Sequence, residues 1–278
     1  MRTHSILTCL LVALLTGRAS AAPPSRIYVL TASAVNTFSP DGHHIEPTLH
    51  LAGCPSTGLA IDTVGTIYIS SHCNRNDLRI FDPAGRELPG RHGGGKEGVA
   101  VSPAGRVATT ERSEKINRNW AYGLIHWRNP DGAPLPAIIA GVSDVYALAF
   151  DRQENLYALF RSLDHIRVYD LSGRMTRALR LPCCLPTQLA VGVDGKIYVA
   201  GAPSISVFTP EGKRIPPDIG RDRLNLGSNA APIGVAVDEE GKIYVGYLGG
   251  DIGIYQPDGK LAAPIFQGPR DIVAIAIH

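Results

Sequence analysis

Charge of one sign, helical periodicity and the compact catalytic motifs are all missing from this 278-residue sequence. Lysine and arginine number 27 against 25 aspartates and glutamates, and two of the basic residues, Arg2 and Arg18, lie in a segment that reads as a removable leader. The remainder is balanced at 25 of each. A balanced chain has no electrostatic footprint for nucleic acid and none for docking on anionic membrane. After residues 6–17 no long apolar run occurs, so nothing else could span a bilayer as a helix. Apolar residues do not recur at helical spacing over any useful length. GxSxG, Walker and HExxH motifs are absent. "GRHGGGKEG" (90–98) is glycine-rich, but it lacks Walker spacing and precedes no helical pattern, so it reads as a flexible connection. "NPD" (129–131) reads as a turn and is no glycosylation sequon.

What is present begins with a secretory signal. Arg2 and His4 form a short polar head, "ILTCLLVALLTG" (6–17) the apolar stretch, and "ASA" (19–21) the small residues of a cleavage site. A lipoprotein signal at Cys9 fits less well, because Thr8 precedes it and little apolar sequence lies upstream. Residues 1–21 are therefore expected to leave. The mature part, 22–278, is expected to be one domain, secreted or periplasmic, and a monomer.

One pattern occurs six times: "GLAID" (58–62), "GVAVS" (98–102), "ALAFD" (147–151), "QLAVG" (188–192), "GVAVD" (234–238) and "AIAIH" (274–278). Its central alanines are Ala60, Ala100, Ala149, Ala190, Ala236 and Ala276, spaced by 40, 49, 41, 46 and 40 residues. Eight residues after five of them comes a second strand-like run, with Tyr68, Tyr157, Tyr198 and Tyr244 at one common point and Ala108 in place of the tyrosine. A tight turn lies between, closed by Gly65, Gly105, Gly195 or Gly241, where positive φ suits glycine. The fourth repeat has Glu154-Asn155 there, and asparagine is expected to take the positive φ. A third run follows, ending in an aromatic and a Pro/Asp/Gly turn ("IRVYDLSG", "IGIYQPDG"). Its period-two alternation predicts half-buried strands.

The ends complete the pattern. "RIYVL" (26–30) and "AVNTFSPDG" (34–42) are second and third strands without a first, whereas "AIAIH" is a first strand without the others. Joined, they make one blade and close a ring. Six such units of about forty residues predict an all-β, six-bladed β-propeller.

"PSTGLAIDTVGTIYIS", "EGVAVSPAGRVATT" and "PIGVAVDEEGKIYVGYLGGDIGIYQPDG" resemble the NHL repeat, over nearly the whole mature chain. That resemblance implies a six-bladed ring with a binding surface at one end of its central channel, on a fold that serves binding modules, lyases and lactonases alike. The chain is also similar, more distantly, to propellers of the gluconolactonase class. These hold a divalent cation on the axis with Asn or Asp just before the innermost strand and a Glu in the first blade. Here the residues three before each central alanine are Thr57, Glu97, Tyr146, Thr187, Ile233 and Val273. One carboxylate in six is too few for a hard cation, which seeks several oxygens. The expected cofactor is therefore none. The alternative is a lactonase- or lyase-type enzyme at the channel mouth with one divalent cation such as calcium.

Other candidate clusters are ordinary. His72 and Cys73 in "SHCNRND" lack further zinc ligands nearby. His43 and His44, adjacent on a strand, point to opposite faces. A register in which partners sum to 207 sets Glu97 opposite Thr110 and pairs Lys96 with Glu111 across the strands.

The repeats depart from one another at insertions in 111–122 and 218–232, which are expected on the same face as 91–96 and 181–186. That face carries the candidate binding residues Glu97, Glu111, Lys115, Arg118, Trp120, Arg221 and Arg223. The expected partner is a protein or small polar ligand, recognised without catalysis.

Of five cysteines, Cys9 lies in the leader. A register summing to 127 puts Cys54 opposite Cys73, within disulfide reach. Cys183 and Cys184 then form a vicinal bridge or remain thiols.

Overall fold

A computed structural model describes residues 26–53, 55–71, 77–89, 92–93, 97–112, 123–136, 138–141, 145–160, 165–181, 185–220 and 231–278. These residues contain strands and turns and no helix.

The strands form six four-stranded antiparallel sheets in a ring. Blade I contains β1 (Ile27–Leu30), β2 (Ala34–Phe38) and β3 (His44–His50). Blade II contains β4 (Ser56–Ile61), β5 (Ile67–Ser71), β6 (Asp77–Phe81) and β7 (His92–Gly93). Blade III contains β8 (Val99–Val101), β9 (Val107–Arg112), β10 (Gly123–Arg128) and β11 (Ile138–Gly141). Blade IV contains β12 (Val145–Phe150), β13 (Leu156–Phe160), β14 (His165–Tyr169) and β15 (Met175–Arg180). Blade V contains β16 (Leu185–Val191), β17 (Ile197–Ala202), β18 (Ile205–Phe208) and β19 (Arg214–Ile219). Blade VI contains β20 (Pro232–Val237), β21 (Ile243–Tyr247), β22 (Asp251–Tyr255) and β23 (Phe266–Gln267). The last strand, β24 (Ala274–Ile277), is the innermost strand of blade I, paired with β1 from Ile27↔Ile277 to Leu30↔Ala274. Arg26 and His278 extend this ladder through reciprocal backbone bonds of 2.7 and 3.0 Å. The chain is a six-bladed β-propeller closed by its last strand, as the sequence predicts.

The core consists of six seams, one between each pair of neighbouring blades. Strand alternation produces them. In blade IV, Leu148, Ala158 and Phe160 pack toward blade III, whereas Ala147, Tyr157 and Leu159 pack toward blade V. Ile27, Val29 and Ile275 of blade I meet Ala236, Tyr244 and Ile254 of blade VI, which seals the ring. The second strands β1, β13, β17 and β21 are consequently buried on both faces. The third strands depart from expectation: β14 alternates as predicted, but β18 and β22 are buried on both faces, with Phe208 and Val207, and Tyr255 and Ile254, packed into the seams on opposite sides of their blades.

The turns explain the repeated aspartate and tyrosine. Asp62 Oδ1 accepts the Val64 and Thr66 backbone N–H groups, and its Oδ2 accepts the Tyr68 hydroxyl at 3.1 Å. Asp238 does the same for Lys242 N–H and the Tyr244 hydroxyl, at 2.7 and 3.0 Å. Gly65, Gly105, Gly195 and Gly241 have φ between 76° and 85°. In blade IV the positive φ belongs to Glu154 (64°) and not to Asn155. Its carboxylate accepts Ala104 N–H of blade III at 2.9 Å, so a strained backbone is held by a bond between blades.

The glycine also moves the register. Asp62 closes the loop with Thr66, and Gly65 is an added residue within it. Partners next to the turn therefore sum to 128, as in Ala60↔Tyr68, and not to 127. A bulge at Thr57 shifts the ladder by one, to Ser56↔Ser71. In blade III, Ala100 likewise faces Ala108. Thr110 therefore lies opposite Gly98, not Glu97, and bonds to both its N–H and its carbonyl. Glu111 pairs along the ladder with Leu124 of β10. The expected Lys96–Glu111 pair cannot be placed, since Lys96 lies outside the described residues.

Candidate functional site: the channel mouth

The six inner strands β24, β4, β8, β12, β16 and β20 surround the axis. The segment preceding each central alanine opens into a cavity of about 310 Å³ at one end of the channel. Thr57, Glu97, Tyr146, Thr187, Ile233 and Val273 all line it. Four of these, Thr57, Tyr146, Thr187 and Ile233, are the extra residues of β-bulges in β4, β12, β16 and β20. A bulge turns a side chain out of the ladder, and here it delivers that side chain to the mouth.

The ring is divided. Blades II to V supply hydroxyls and one carboxylate; blades VI and I supply Ile233 and Val273. All six are half-buried. Polar ties bind neighbouring blades around the mouth. Ser70 Oγ donates to the Glu97 carbonyl at 3.0 Å, and Thr187 Oγ1 to the Pro232 carbonyl at 3.4 Å.

Two residues before each central alanine stand Gly58, Gly98, Ala147, Gln188, Gly234 and Ala274. The small residues let neighbouring backbones meet. A Cβ on Gly58 would stand 2.6 Å from Ser70 Oγ and 2.9 Å from the Glu97 carbonyl; one on Gly98 would lie 3.1 Å from the Tyr146 carbonyl. Gln188 is the exception. Its Oε1 accepts Val235 N–H of blade VI at 3.0 Å, and its Nε2 donates to the Ile275 carbonyl of blade I at 3.3 Å. One side chain thus ties three blades across the floor of the mouth. The orientation of its amide is fixed from both sides, because an N–H can only donate and a carbonyl can only accept. Gly234 makes room, since a Cβ there would approach Gln188 Oε1 to 2.8 Å.

Two phenols, the half-buried Tyr68 and the buried Tyr198, sit beyond the mouth. Burial and then the Asp62 carboxylate push Tyr68 up to about 12; burial and then Asp194 do the same for Tyr198. The Tyr68 hydroxyl serves its turn as a donor to Asp62. Among the described residues no three His, Cys, Asp or Glu side chains gather as a metal site. One carboxylate, two threonine hydroxyls and a phenol do not suit a hard divalent cation.

Of the residues singled out by sequence, Glu97 lies at the mouth. Glu111 is placed by its backbone on β9. Lys115, Arg118, Trp120, Arg221 and Arg223 lie outside the described residues, as do Cys54, Cys73, Cys183 and Cys184. Apart from Glu97, sequence reasoning treated the mouth positions only as failed metal ligands, and it passed over Gln188. The signal for Gln188 was its size at a position otherwise occupied by glycine or alanine.

Comparison with known proteins gives the fold wider context. Residues 220–255 match the family model described as strictosidine synthase-like, N-terminal. No curated protein sequence matches the chain. A chain of the nidogen/laminin complex superposes with TM-score 0.69 at 14% identity, covering 91% of this chain and 98% of that one. A protein of unknown function from Bacteroides caccae gives 0.67 at 14%, covering 92% and 99%. A streptogramin B lyase gives 0.62 at 16%, covering 90% and 83%. At such identities the likeness is one of fold. It spans proteins that bind and proteins that act as lyases.

Proposed function

We propose that this propeller is a non-catalytic binding module, exported to the periplasm or beyond, that takes a small polar organic ligand at the channel mouth. The observation that carries the reading is the divided ring: polar groups from four blades facing apolar ones from two, over a floor set by Gln188. A ligand with one oxygen-bearing edge and one apolar edge fits such a ring. The second N–H of the Gln188 amide is a donor the floor can offer to a ligand oxygen. The loops 91–96, 111–122, 181–186 and 218–232, with Glu111, Lys115, Arg118, Trp120, Arg221 and Arg223, are proposed to extend this surface outward. Ligand-observed NMR with a library of hydroxy acids, lactones and sugars tests it. Binders should weaken about tenfold or more in Glu97→Gln or Gln188→Ala, in line with loss of one or two good polar contacts. Binders indifferent to both substitutions would place the site elsewhere.

The likeness to the streptogramin B lyase supports a second reading, an enzyme of the lyase or lactonase kind at the same mouth. That reading needs an acid or base working with Glu97. It is favoured if any library member is consumed and Glu97→Gln stops the turnover.

A further inference from the structure

The channel has a second opening. At the opposite end, past the central alanines, a funnel of about 540 Å³ opens to solvent and shares no lining residue with the mouth. The residue after each central alanine lines it: Ile61, Val101, Phe150, Val191, Val237 and Ile277. Five of the six are half-buried. Each inner strand thus contributes one apolar side chain, giving a continuous apolar ring about the axis.

The rim is acidic. Among the described residues, Asp62, Asp151, Asp238, Glu239 and Glu240 line the funnel against a single guanidinium, that of Arg152. The three aspartates are held by turn N–H groups, tyrosine hydroxyls and the Asn155 side-chain amide, all neutral donors that leave their charge in place. His278 also lines the funnel, with its Nε2 3.2 Å from the Thr63 carbonyl. Arg152 belongs to blade IV and pairs at 3.1 Å with Glu239 of blade VI, so the ion pair reaches past blade V at the rim. Both partners are exposed, and such pairs contribute about 0–1 kcal/mol. The protein's own cation therefore occupies the rim weakly.

We propose that this funnel is a second binding site, for an organic cation with an apolar body. The body sits against the six-membered apolar ring, and the cation replaces Arg152 beside Glu239 and Glu240. Charge complementarity selects the occupant: an apolar ring alone would accept a neutral molecule as readily, but five carboxylates against one guanidinium reject an anion and favour a cation. The volume lies within the range of about 300–1,000 Å³ usual for small-molecule pockets. The site is independent of the mouth, so either can fail alone.

Cyclohexylmethylammonium, cyclohexylmethanol and cyclohexanecarboxylate share one apolar body and differ in charge. Titrating each by NMR at low salt tests the proposal, with thermal melts to verify that variants fold. The ammonium should bind about tenfold or more tighter than the alcohol, the carboxylate should not bind, and salt should weaken the ammonium. Arg152→Ala should tighten the ammonium several-fold by removing the internal competitor. Glu240→Lys, at an exposed position, should weaken it, while Glu97→Gln at the far mouth should leave it unchanged. Equal affinity of ammonium and alcohol, no binding of the ammonium, or weaker binding in Arg152→Ala would overturn the proposal.

Discussion

At the scale of single residues, the informative positions are those where one side chain reaches a second blade. Gly234 is one, by having no side chain. Gly234→Ala would push a methyl into Gln188 Oε1 and the Ile275 backbone N, 3.1 Å away. Overpacking against backbone costs about 1–3 kcal/mol, and denaturant melts should show it. Gly132, where nothing stands within 4 Å of an added Cβ, is a comparison site with strain from positive φ alone. The tyrosines give a pH test. Tyr68 and Tyr198 lie near 12, and burial raises Tyr157 and Tyr169 as well. The folded chain keeps phenolic protons that the unfolded chain loses from about pH 10. This contribution is complete below pH 10 and is lost as pH rises toward 12. Absorbance at 295 nm should accordingly titrate late in the native protein and normally in denaturant. Cysteine pairing also belongs here. The sequence register alone carries the expected Cys54–Cys73 pairing, since both residues lie outside the described residues. Unreduced peptide maps should join Cys54 to Cys73; a peptide joining Cys54 to Cys183 or Cys184 would contradict the pairing. Within the described ladder the sum of 127 holds only at Ser56↔Ser71. Two one-residue shifts, the glycine in the turn and the bulge, cancel, and neither leaves a mark in the composition of the strand.

At the scale of elements, strand type and order were legible because each repeat has the same apolar alternation and the same glycine turn. Bulges were not, since Thr57, Tyr146, Thr187 and Ile233 have no residue type common to all four. Their common feature is position relative to the axis, which only the ring supplies. The error at Thr110 comes from the turn glycine alone, since the β8–β9 ladder sums to 208 throughout. Closure by β24 yields the sharpest element-level prediction. Removing 272–278 would strip β1 of its inner partner and take away Ile272 and Ile275, 3% and 1% exposed. Two buried isoleucines alone are worth about 1.5–3 kcal/mol each. The truncated chain should lose cooperative unfolding in thermal melts. An unchanged melting temperature would mean that the ring does not depend on β24.

At the scale of the whole molecule, the ring creates two openings on one axis with different lining chemistry. The mouth is polar on one arc and apolar on the other, and holds a single described carboxylate. The far funnel is apolar within and acidic at its rim. The fold was readable from six copies of one pattern. The mouth was readable only in outline, because its character depends on which residues the bulges aim inward. The central claim is that the mouth binds an organic ligand without a catalytic cation. The most direct measurement is the melting temperature of the full chain in chelator and in calcium, manganese or zinc, with lactone hydrolysis followed in the same samples. Binding to the native state raises the melting temperature as the ligand exceeds its Kd. The account predicts the same melting temperature in chelator and in each cation, and no lactone consumed. A calcium-dependent rise accompanied by lactone hydrolysis that Glu97→Gln abolishes would contradict it.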